Sequence, residues 1–323
     1  MVFMKKIAIV SLVLLSAILF VSCNKSGVYK PKDKLAKVWY EREAVTTIDS
    51  VDHPSSTPKY LREDWIWNRD TLKSRTVYRT NGDIWYNYIY EYNKKENNRI
   101  IGITSSIAAE RKTRIRFIYD DDSRKIKEIK YFTEAFSENS LPHRWLVFEY
   151  DGNKVISIKE TINTQRYPRS YSYMETSLLP YLVSEEMAES IMENEMRSKV
   201  EYDIKTNEYE FVWEKKNITQ VKIKTTIGEN VTEANIYYTY DKDRNPQLAR
   251  VMGFVEEGGV NPLICSHNNV VSCTYESPSL SYTENSEYTY EKKTPVEKIV
   301  TRTENTHFSV SRITEKWTYE YAE

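Results

Sequence analysis

The chain has 323 residues with 46 basic and 47 acidic side chains, so its charge is nearly balanced, and aromatic residues make up 13% of it. This balance gives no basic patch for nucleic acid. The sequence has only eight glycines and contains no phosphate-binding loop, nucleophile elbow or His-Glu-x-x-His motif. We therefore expect neither a nucleic-acid partner nor a cofactor, and the length allows one large domain or two modest ones.

Residues 1–22 have the layout of a bacterial signal peptide, because Lys5 and Lys6 precede an apolar run from Ile7 to Val21. The run is shorter than the roughly 20 residues that a transmembrane helix needs. It ends at Ser22-Cys23, which resembles a lipobox. The resemblance implies that Cys23 receives lipid, with palmitate among its acyl chains, and begins the mature chain. An ordinary secreted protein with a chance cysteine is the alternative.

Residues 24–34 are small, polar and basic, and we predict that they form a tether between the lipid at Cys23 and a folded part that spans 35–323. Asn24 stands where some bacteria place Asp in lipoproteins that stay in the inner membrane, so we expect the outer membrane. Acidic residues that favour surface export of Bacteroidetes-type lipoproteins are also missing after Cys23. Whether the protein faces the periplasm or the cell surface is left open.

Alternation with a period of two dominates the chain after the tether. Aromatic and aliphatic residues occupy every second position in many segments, with Lys, Glu, Arg, Thr and Asn between them. Such segments are Tyr86–Tyr92, Ile115–Tyr119, Leu146–Tyr150, Tyr209–Trp213, Ile236–Tyr240 and Trp317–Tyr321. Each predicted strand has one aromatic face and one wet face.

The predicted strands are also copies of one another. An aromatic residue followed by a polar or acidic one opens each turn, and two apolar residues three positions apart follow the turn. These aromatic anchors are Tyr92, Tyr119, Tyr150, Trp213 and Tyr240. A spacing of about 30 residues predicts a repeat unit of two strands. The expected fold is mainly β, an antiparallel meander of repeats that could form a single curved sheet.

Two segments interrupt this pattern. Val183 to Met196 has apolar residues at helical spacing behind a candidate N-cap at Ser184, which predicts one inserted amphipathic helix near 183–197 that covers part of the sheet. Gly253 to Ser279 contains Gly258-Gly259 and two cysteines, and we predict a long loop there.

The segments Lys34 to Glu41 and Tyr60 to Asn68, together with the Tyr-Asp turns, resemble a Bacteroidetes-type lipoprotein family of unknown function with Tyr-Asp (Rhs-like) β repeats. The resemblance covers most of the chain from residue 34. It implies a long antiparallel meander and brings no known activity or catalytic residue. Of the repeats, only Tyr150-Asp151-Gly152 keeps the Gly that usually follows the Asp.

Candidate metal ligands are few. Asp241 to Asn245 imitates the start of a calcium loop, but Pro246 stands at position six instead of Gly and Met252 at position twelve instead of Glu. We predict a turn there and no metal site. The four histidines are scattered in the sequence and suggest no catalytic group.

Three tryptophans and two hydroxyl residues are candidate sites for glycans. Trp65 and Trp67 share a strand face and Trp85 follows in the next unit, so an exposed row could stack on sugar rings. The same spacing recurs along the chain, which favours rings that fill the apolar face of a sheet. Ser50 and Thr71 lie in tripeptides that resemble the O-glycosylation signal of exported Bacteroidetes proteins.

Cys265 and Cys273 are the cysteines that remain once Cys23 carries lipid. A pair of thiols in an exported protein suggests a disulfide. It could form if the chain makes a hairpin that turns near Asn268-Asn269. Two free buried thiols fit the spacing equally well.

For function, we predict a noncatalytic binding or scaffolding lipoprotein of the outer membrane, which engages a glycan or another envelope protein. The alternative is a glycan-active enzyme that uses Asp or Glu residues as its acid and base. We discount a transmembrane barrel, because the strands carry charges on one face and lack a continuous apolar face for lipid.

Overall fold

The computed structural model describes residues 33–69, 71–94, 99–107, 111–120, 125–133, 141–163, 178–179, 182–183, 187–188, 191, 204–245, 266–278, 280–305 and 309–322. They form sixteen strands, which are β1 (Leu35–Ile48), β2 (Val51–Asn68), β3 (Thr71–Tyr78), β4 (Ile84–Asn93), β5 (Arg99–Ile107), β6 (Arg111–Tyr119), β7 (Ile126–Thr133), β8 (Arg144–Asp151), β9 (Lys154–Asn163), β10 (Ile204–Glu214), β11 (Asn217–Ile227), β12 (Asn230–Arg244), β13 (Asn268–Ser277), β14 (Leu280–Glu291), β15 (Thr294–Asn305) and β16 (Ser309–Tyr321). Each strand pairs antiparallel with its neighbours in sequence, as the predicted meander requires.

The sheet closes into a barrel, which corrects the expectation of an open curved sheet. β1 pairs with β16 from Leu35 opposite Tyr321 to Ile48 opposite Ser309. Alternation along each strand predicts neighbouring pairs, but it does not determine whether the first strand meets the last. We call the end where β1 begins and β16 ends the proximal end, and the opposite end the distal end. The two ends of the described barrel meet at the proximal end, since Ala322 N donates to Lys34 O at 2.8 Å.

The two faces of the barrel differ in chemistry as the alternation predicts. Because the sheet is closed, the buried face that recurs from strand to strand is its inner face, and it carries the aromatic and aliphatic side chains. The outer face carries exposed ion pairs between neighbouring strands. Two of them join Lys222 to Glu210 at 2.9 Å and Lys316 to Glu297 at 2.8 Å. A third exposed pair joins Arg114 on β6 to Glu91 on β4 at 3.3 Å and so crosses β5.

The anchors of the repeat occupy equivalent places at the proximal end. A β-bulge interrupts the hairpin register beside each of them, for example between Glu91 and Tyr92 and between Ile118 and Tyr119. Beyond this point each hairpin separates from the next: the β5–β6 ladder, for instance, starts at Gly102 opposite Arg116, which leaves Ile100 outside it. The backbone carbonyl of Ile100 therefore needs another donor.

Aromatic side chains supply these donors around the whole barrel. The bonds run from Trp67 to Leu35 O, Tyr92 to Leu72 O, Tyr119 to Ile100 O, Tyr150 to Ile126 O, Trp213 to Val155 O, Tyr240 to Ile218 O, Tyr288 to Val270 O and Tyr321 to Pro295 O. We call these eight aromatic residues the girdle. Six of the accepting residues are the hairpin partners of the preceding girdle residue, and the series closes on itself because Leu35 pairs with Tyr321 across β1 and β16. Pro295 is the exception, because its hairpin partner is Tyr290 and not Tyr288.

The predicted helix near 183–197 lies largely outside the described residues, and the described elements include no helix. Leu182, Met187 and Ile191 of the insertion between β9 and β10 are buried in the same core as the strands. Leu182 O accepts a hydrogen bond from the hydroxyl of Tyr238 on β12 at 2.7 Å. Nowhere in the described ranges is a helix long and apolar enough to cross a membrane.

The long loop predicted from Gly253 to Ser279 is wrong in its second half. β13 occupies Asn268–Ser277 and pairs with β12 and β14. Asn268-Asn269 therefore begins a strand and is not the turn of a hairpin. Alternation in β13 is carried by Cys273 and Tyr275 among small polar residues, which is a weaker signal than the aromatic rows elsewhere.

Candidate functional site

The inner face changes from apolar to polar along the barrel axis. Next to the proximal end it consists of the girdle and a second layer that includes Phe117, Phe148 and Phe211. Towards the distal end, buried charged groups appear on three parts of the wall. Their chemistry decides whether the interior could act as a catalytic site.

The most enclosed of these groups is a network around Glu160 on β9. Its carboxylate accepts from Arg144 Nε at 2.6 Å, Asn207 Nδ2 at 2.7 Å and the Tyr209 hydroxyl at 2.8 Å. The guanidinium of Arg144 also lies over the ring of Tyr131, 4.4 Å from its centroid. Arg144 and Glu160 have side chains that are 1% and 0% exposed, so water does not reach this pair.

A second group surrounds Arg302 on β15. Its Nη1 lies 3.0 Å from Glu315 and 4.0 Å from Glu284, and the Tyr40 hydroxyl donates to Glu315 at 3.1 Å. Lys298 lies two inner positions nearer the proximal end, beyond Val300. Burial opposes its charge, but Tyr288, Glu284 and Glu315 outweigh burial and raise the pKa of Lys298.

A third pair joins Glu63 on β2 to Arg75 on β3. Arg75 Nη2 contacts Glu63 Oε1 at 2.6 Å, and Trp65 Nε1 donates to the other carboxylate oxygen at 2.8 Å. Burial alone would raise the pKa of Glu63, but the charge and hydrogen bonds of Arg75 outweigh it and lower that pKa. The carboxylates of Glu63, Glu160 and Glu315 are thus each bonded to an arginine, and the lowered pKa of Glu63 makes that group unsuited to donate a proton. In the described ranges, no group of three His, Cys, Asp or Glu residues is placed to hold a metal ion.

The proximal end contains a cleft where β11 and β12 separate. Their ladder ends at Gln220 opposite Tyr237, and beyond it the segment Ser266-His267 lies between them. Ile218 N donates to Ser266 Oγ at 3.1 Å, and His267 N donates to Lys216 O at 3.1 Å. A cavity of about 440 Å³ opens here. We call it the β11–β12 cleft, and its polar lining includes Lys215, Lys216, Asn217, Thr219, Thr239 and His267.

The floor of the cleft is fixed by amide side chains. Asn217 Oδ1 accepts from His267 N at 2.9 Å and from Asn268 N at 3.2 Å, while its Nδ2 donates to Asn268 Oδ1 at 3.1 Å. Asn268 Nδ2 in turn donates to Asp243 O at 3.0 Å. The backbone around His267 is therefore held in place independently of any ligand.

The cleft lining carries two cations, Lys215 and Lys216, and one carboxylate, Glu214, so its net charge is positive. Burial lowers the pKa of His267, and the charges of Lys216 and Arg244 lower it further, so its imidazole is neutral at pH 7. Cations recur at this end of the barrel, where they lie over rings of the girdle. Arg99 lies 4.5 Å from the centroid of Tyr119, Lys125 lies 5.1 Å from that of Tyr150, and Lys154 lies 5.3 Å from that of Trp213.

The three tryptophans considered for glycan stacking do not form an exposed row. Trp65 is 4% exposed and packs on the inner face with Trp67, their ring centroids 6.4 Å apart. Trp85 is half-buried beneath the guanidinium of Arg62, which lies 5.0 Å from the ring centroid. Trp65 and Trp67 therefore fill the apolar face of the sheet and are not exposed for stacking on a sugar ring.

The other predicted residues lie far apart in the fold. Ser50 is exposed in the distal turn between β1 and β2, and Thr71 begins β3 at the proximal end. Cys273 is buried on the inner face of β13, and burial raises the pKa of its thiol. Cys23 and Cys265 lie outside the described residues, so lipidation and the disulfide stay predictions. O-glycosylation of Ser50 and Thr71 also stays a prediction.

Asp241, the first residue of the rejected calcium loop, instead orders the chain where β12 ends. Its carboxylate accepts from Asp243 N at 3.0 Å, from Asn269 N at 3.1 Å and from the Tyr290 hydroxyl. Sequence reasoning missed the β11–β12 cleft beside it. The adjacent cations Lys215-Lys216 are the only local signal, and their meeting with His267 depends on the separation of two strands.

Two solved structures are distantly similar to this chain. A porin-like protein from Bacteroides uniformis is 9% identical, with 92% of this chain and 100% of that chain covered and a TM-score of 0.47. A porin-like protein from Bacteroides vulgatus is 13% identical, with 90% of this chain and 99% of that chain covered and a TM-score of 0.43. No family model and no curated protein matches the chain. Likeness this distant carries no argument about function, so the proposals below depend on the side chains.

Proposed function

We propose that the chain is a noncatalytic lipoprotein of the outer membrane, which presents a water-exposed barrel for binding or scaffolding in the cell envelope. Lipid on Cys23 would hold it to the membrane, and residues 24–34 would be the tether. The observation that carries the proposal is the charged outer face of the barrel. Its partner would be a glycan or another envelope protein.

The outer face argues against insertion of the barrel in the bilayer. Each Lys or Arg on the lipid face of a membrane barrel costs about 2 to 4 kcal/mol at the bilayer midplane. Lys159 and Glu208 face outwards on β9 and β10, and Glu210 and Lys222 do so on β10 and β11. An inner face that is mainly apolar, with its charged groups buried in pairs, and a charged outer face are the reverse of what a water-filled pore in lipid requires.

The interior argues for binding or scaffolding over catalysis. An acid and base pair needs one carboxyl group that can stay protonated near neutral pH. Glu63, Glu160 and Glu315 are each bonded to an arginine instead. No feature of the described residues favours the glycan-active enzyme.

Membrane fractionation of the full-length chain and of a Cys23→Ala variant tests the proposal. We expect the unmodified chain in the membrane fraction and the variant in detergent-free soluble extract, with a sheet-dominated circular dichroism spectrum. Resistance of the variant to alkaline carbonate extraction would contradict the proposal, because only an integrated barrel stays in the membrane without its lipid. Recovery of the unmodified chain in the soluble fraction would contradict lipid anchoring at Cys23.

A further inference from the structure

The β11–β12 cleft gathers hydrogen-bond donors that have no acceptor. Within the described part of the chain, no side-chain hydrogen bond or ion pair is made by Lys215, Lys216, Thr219, Thr239 or His267. Arg244, whose strand position is opposite Asn268, has a buried Nε that likewise lacks a partner there. Lys215, Lys216 and Thr239 are exposed and can be satisfied by water, whereas Thr219 and His267 are half-buried. A buried donor such as Arg244 Nε is normally satisfied, so its lack of a partner beside His267 indicates a missing acceptor.

The backbone conformation gives an independent reason to expect that the positive charges at the proximal end have a function. Lys215 has a φ of 55°, and three further cations at proximal turns, Arg69, Lys292 and Lys293, have φ values of 53°, 49° and 73°. Positive φ is uncommon outside glycine and is found mostly at Asn, Asp and His. Cations therefore stand in turns where Gly or Asn would relieve the backbone, which favours a role for their charge.

We propose that the β11–β12 cleft binds a phosphate group, which its lysines, hydroxyls and His267 would coordinate. Phosphate offers several anionic acceptor oxygens, which match donors arriving from three segments of the chain. Asn217 and Asn268 hold the floor and are already bonded, so they position the backbone and do not compete for the anion.

A membrane lipid headgroup is the source of phosphate that the fold favours. The cleft opens at the proximal end, where β1 begins at Leu35. If Cys23 carries lipid, as the proposed function holds, the tether allows this end to lie no more than about 40 Å from the bilayer. A phosphate that is free or carried by a soluble molecule has the same chemistry, and the experiment has to separate the two.

The first arm uses the full-length Cys23→Ala chain and inorganic phosphate, followed by NMR of the histidine side chains. We expect binding to raise the pKa of His267, with the signal assigned through a His267→Gln variant. Lys216→Ala should weaken binding about five-fold, the effect of about 1 kcal/mol per cation near a charged surface. Lys222→Ala is the matched control, because Lys222 pairs with Glu210 on the outer face, and it should leave binding unchanged.

The second arm measures cosedimentation of the same proteins with vesicles of phosphatidylcholine, with or without phosphatidylglycerol. Binding to the anionic vesicles that Lys216→Ala weakens more than Lys222→Ala supports the lipid headgroup as the source. Phosphate binding without vesicle binding supports the cleft and overturns the lipid source. Equal effects of the two substitutions in both arms, or no shift of His267 with phosphate, would overturn the site. Neither arm needs the lipid anchor, so failure here is distinct from failure of the anchor.

Discussion

Arg144 and Glu160 form the most deeply buried ion pair among the described residues, and their contribution to stability can be measured. Arg144→Met should lower the free energy of unfolding by about 3 to 5 kcal/mol, because it leaves the Glu160 charge buried without its cation. Lys222→Ala breaks an exposed pair and should cost about 1 kcal/mol or less. Urea unfolding followed by tryptophan fluorescence gives both values. Equal losses of unfolding free energy in the two variants would contradict the prediction that breaking the buried pair costs more than breaking the exposed one.

His143 predicts a pH dependence of stability. Burial and the charge of Arg144 lower its pKa to about 3 in the folded protein, whereas an unfolded histidine has a pKa of about 6.5. As the pH falls below about 6.5 the unfolded state binds this proton first, so stability is lost progressively down to about pH 3. At pH 4.5, His143 should therefore lower the free energy of unfolding by about 2 to 3 kcal/mol relative to neutral pH.

A His143→Phe variant isolates this contribution, since a ring remains beside Tyr131 and the proton site is removed. Unfolding free energies of both proteins should be measured between pH 7 and pH 4.5. We expect the unmodified protein to lose more stability than the variant over this range. Parallel curves would mean that His143 does not titrate in this way.

The predicted disulfide can be tested in a way that takes account of the fold. Cys273 is buried and burial raises the pKa of its thiol, so it should resist alkylation in the folded protein whether or not it is bonded. Alkylation must therefore be done in denaturant without reductant and followed by mass spectrometry. An absence of label on Cys265 and Cys273 supports the disulfide, and two labels in freshly isolated protein would exclude it.

At the scale of the hairpin, the girdle predicts a repeated energetic pattern. Tyr119→Phe removes the donor to Ile100 O, whose carbonyl lies outside the strand ladder, and should cost about 1 to 3 kcal/mol. Tyr92→Phe and Tyr150→Phe should give similar losses, because their bonds to Leu72 and Ile126 are equivalent. Urea unfolding provides the measurement.

Tyr237→Phe is the control for these substitutions. Tyr237 faces outwards, is 40% exposed and makes no side-chain hydrogen bond within the described ranges. Its loss of a hydroxyl should change stability by no more than about 0.5 kcal/mol. If the girdle substitutions are as mild as this one, the carbonyls at the proximal end are satisfied by water.

The repeat could be predicted from the sequence because each unit repeats the same local requirement. Tyr92, Tyr119 and Tyr150 each mark a bulge, and the apolar residue after the turn pairs with the anchor. β13 was missed because its inner face is carried by Cys273 and Tyr275 among small polar residues. The hydroxyl bond from Tyr119 to Ile100 could not be predicted either, since it crosses between units and depends on how far two hairpins separate.

At the scale of the molecule, alternation predicted an apolar face and a charged face but not which face would be enclosed by closure. Closure depends on β1 and β16, which are joined by contacts such as Trp39 Nε1 to Glu320 Oε1 at 2.5 Å. Nothing near Trp39 in the sequence indicates that its partner lies at the other end of the chain. The β11–β12 cleft was beyond prediction for the same reason, because it combines Lys216 with His267 across a separation of strands.

The pairing of β1 with β16 also delays closure of the barrel during synthesis. β1 precedes the other fifteen described strands in the chain and β16 follows them, so β1 must wait for its partner. At the usual 5 to 20 residues per second this delay is roughly 15 to 60 s. Throughout that time β1 presents an unpaired edge that another chain could pair with. If the chain is exported as proposed, it should therefore depend on periplasmic holding chaperones until β16 has crossed the inner membrane.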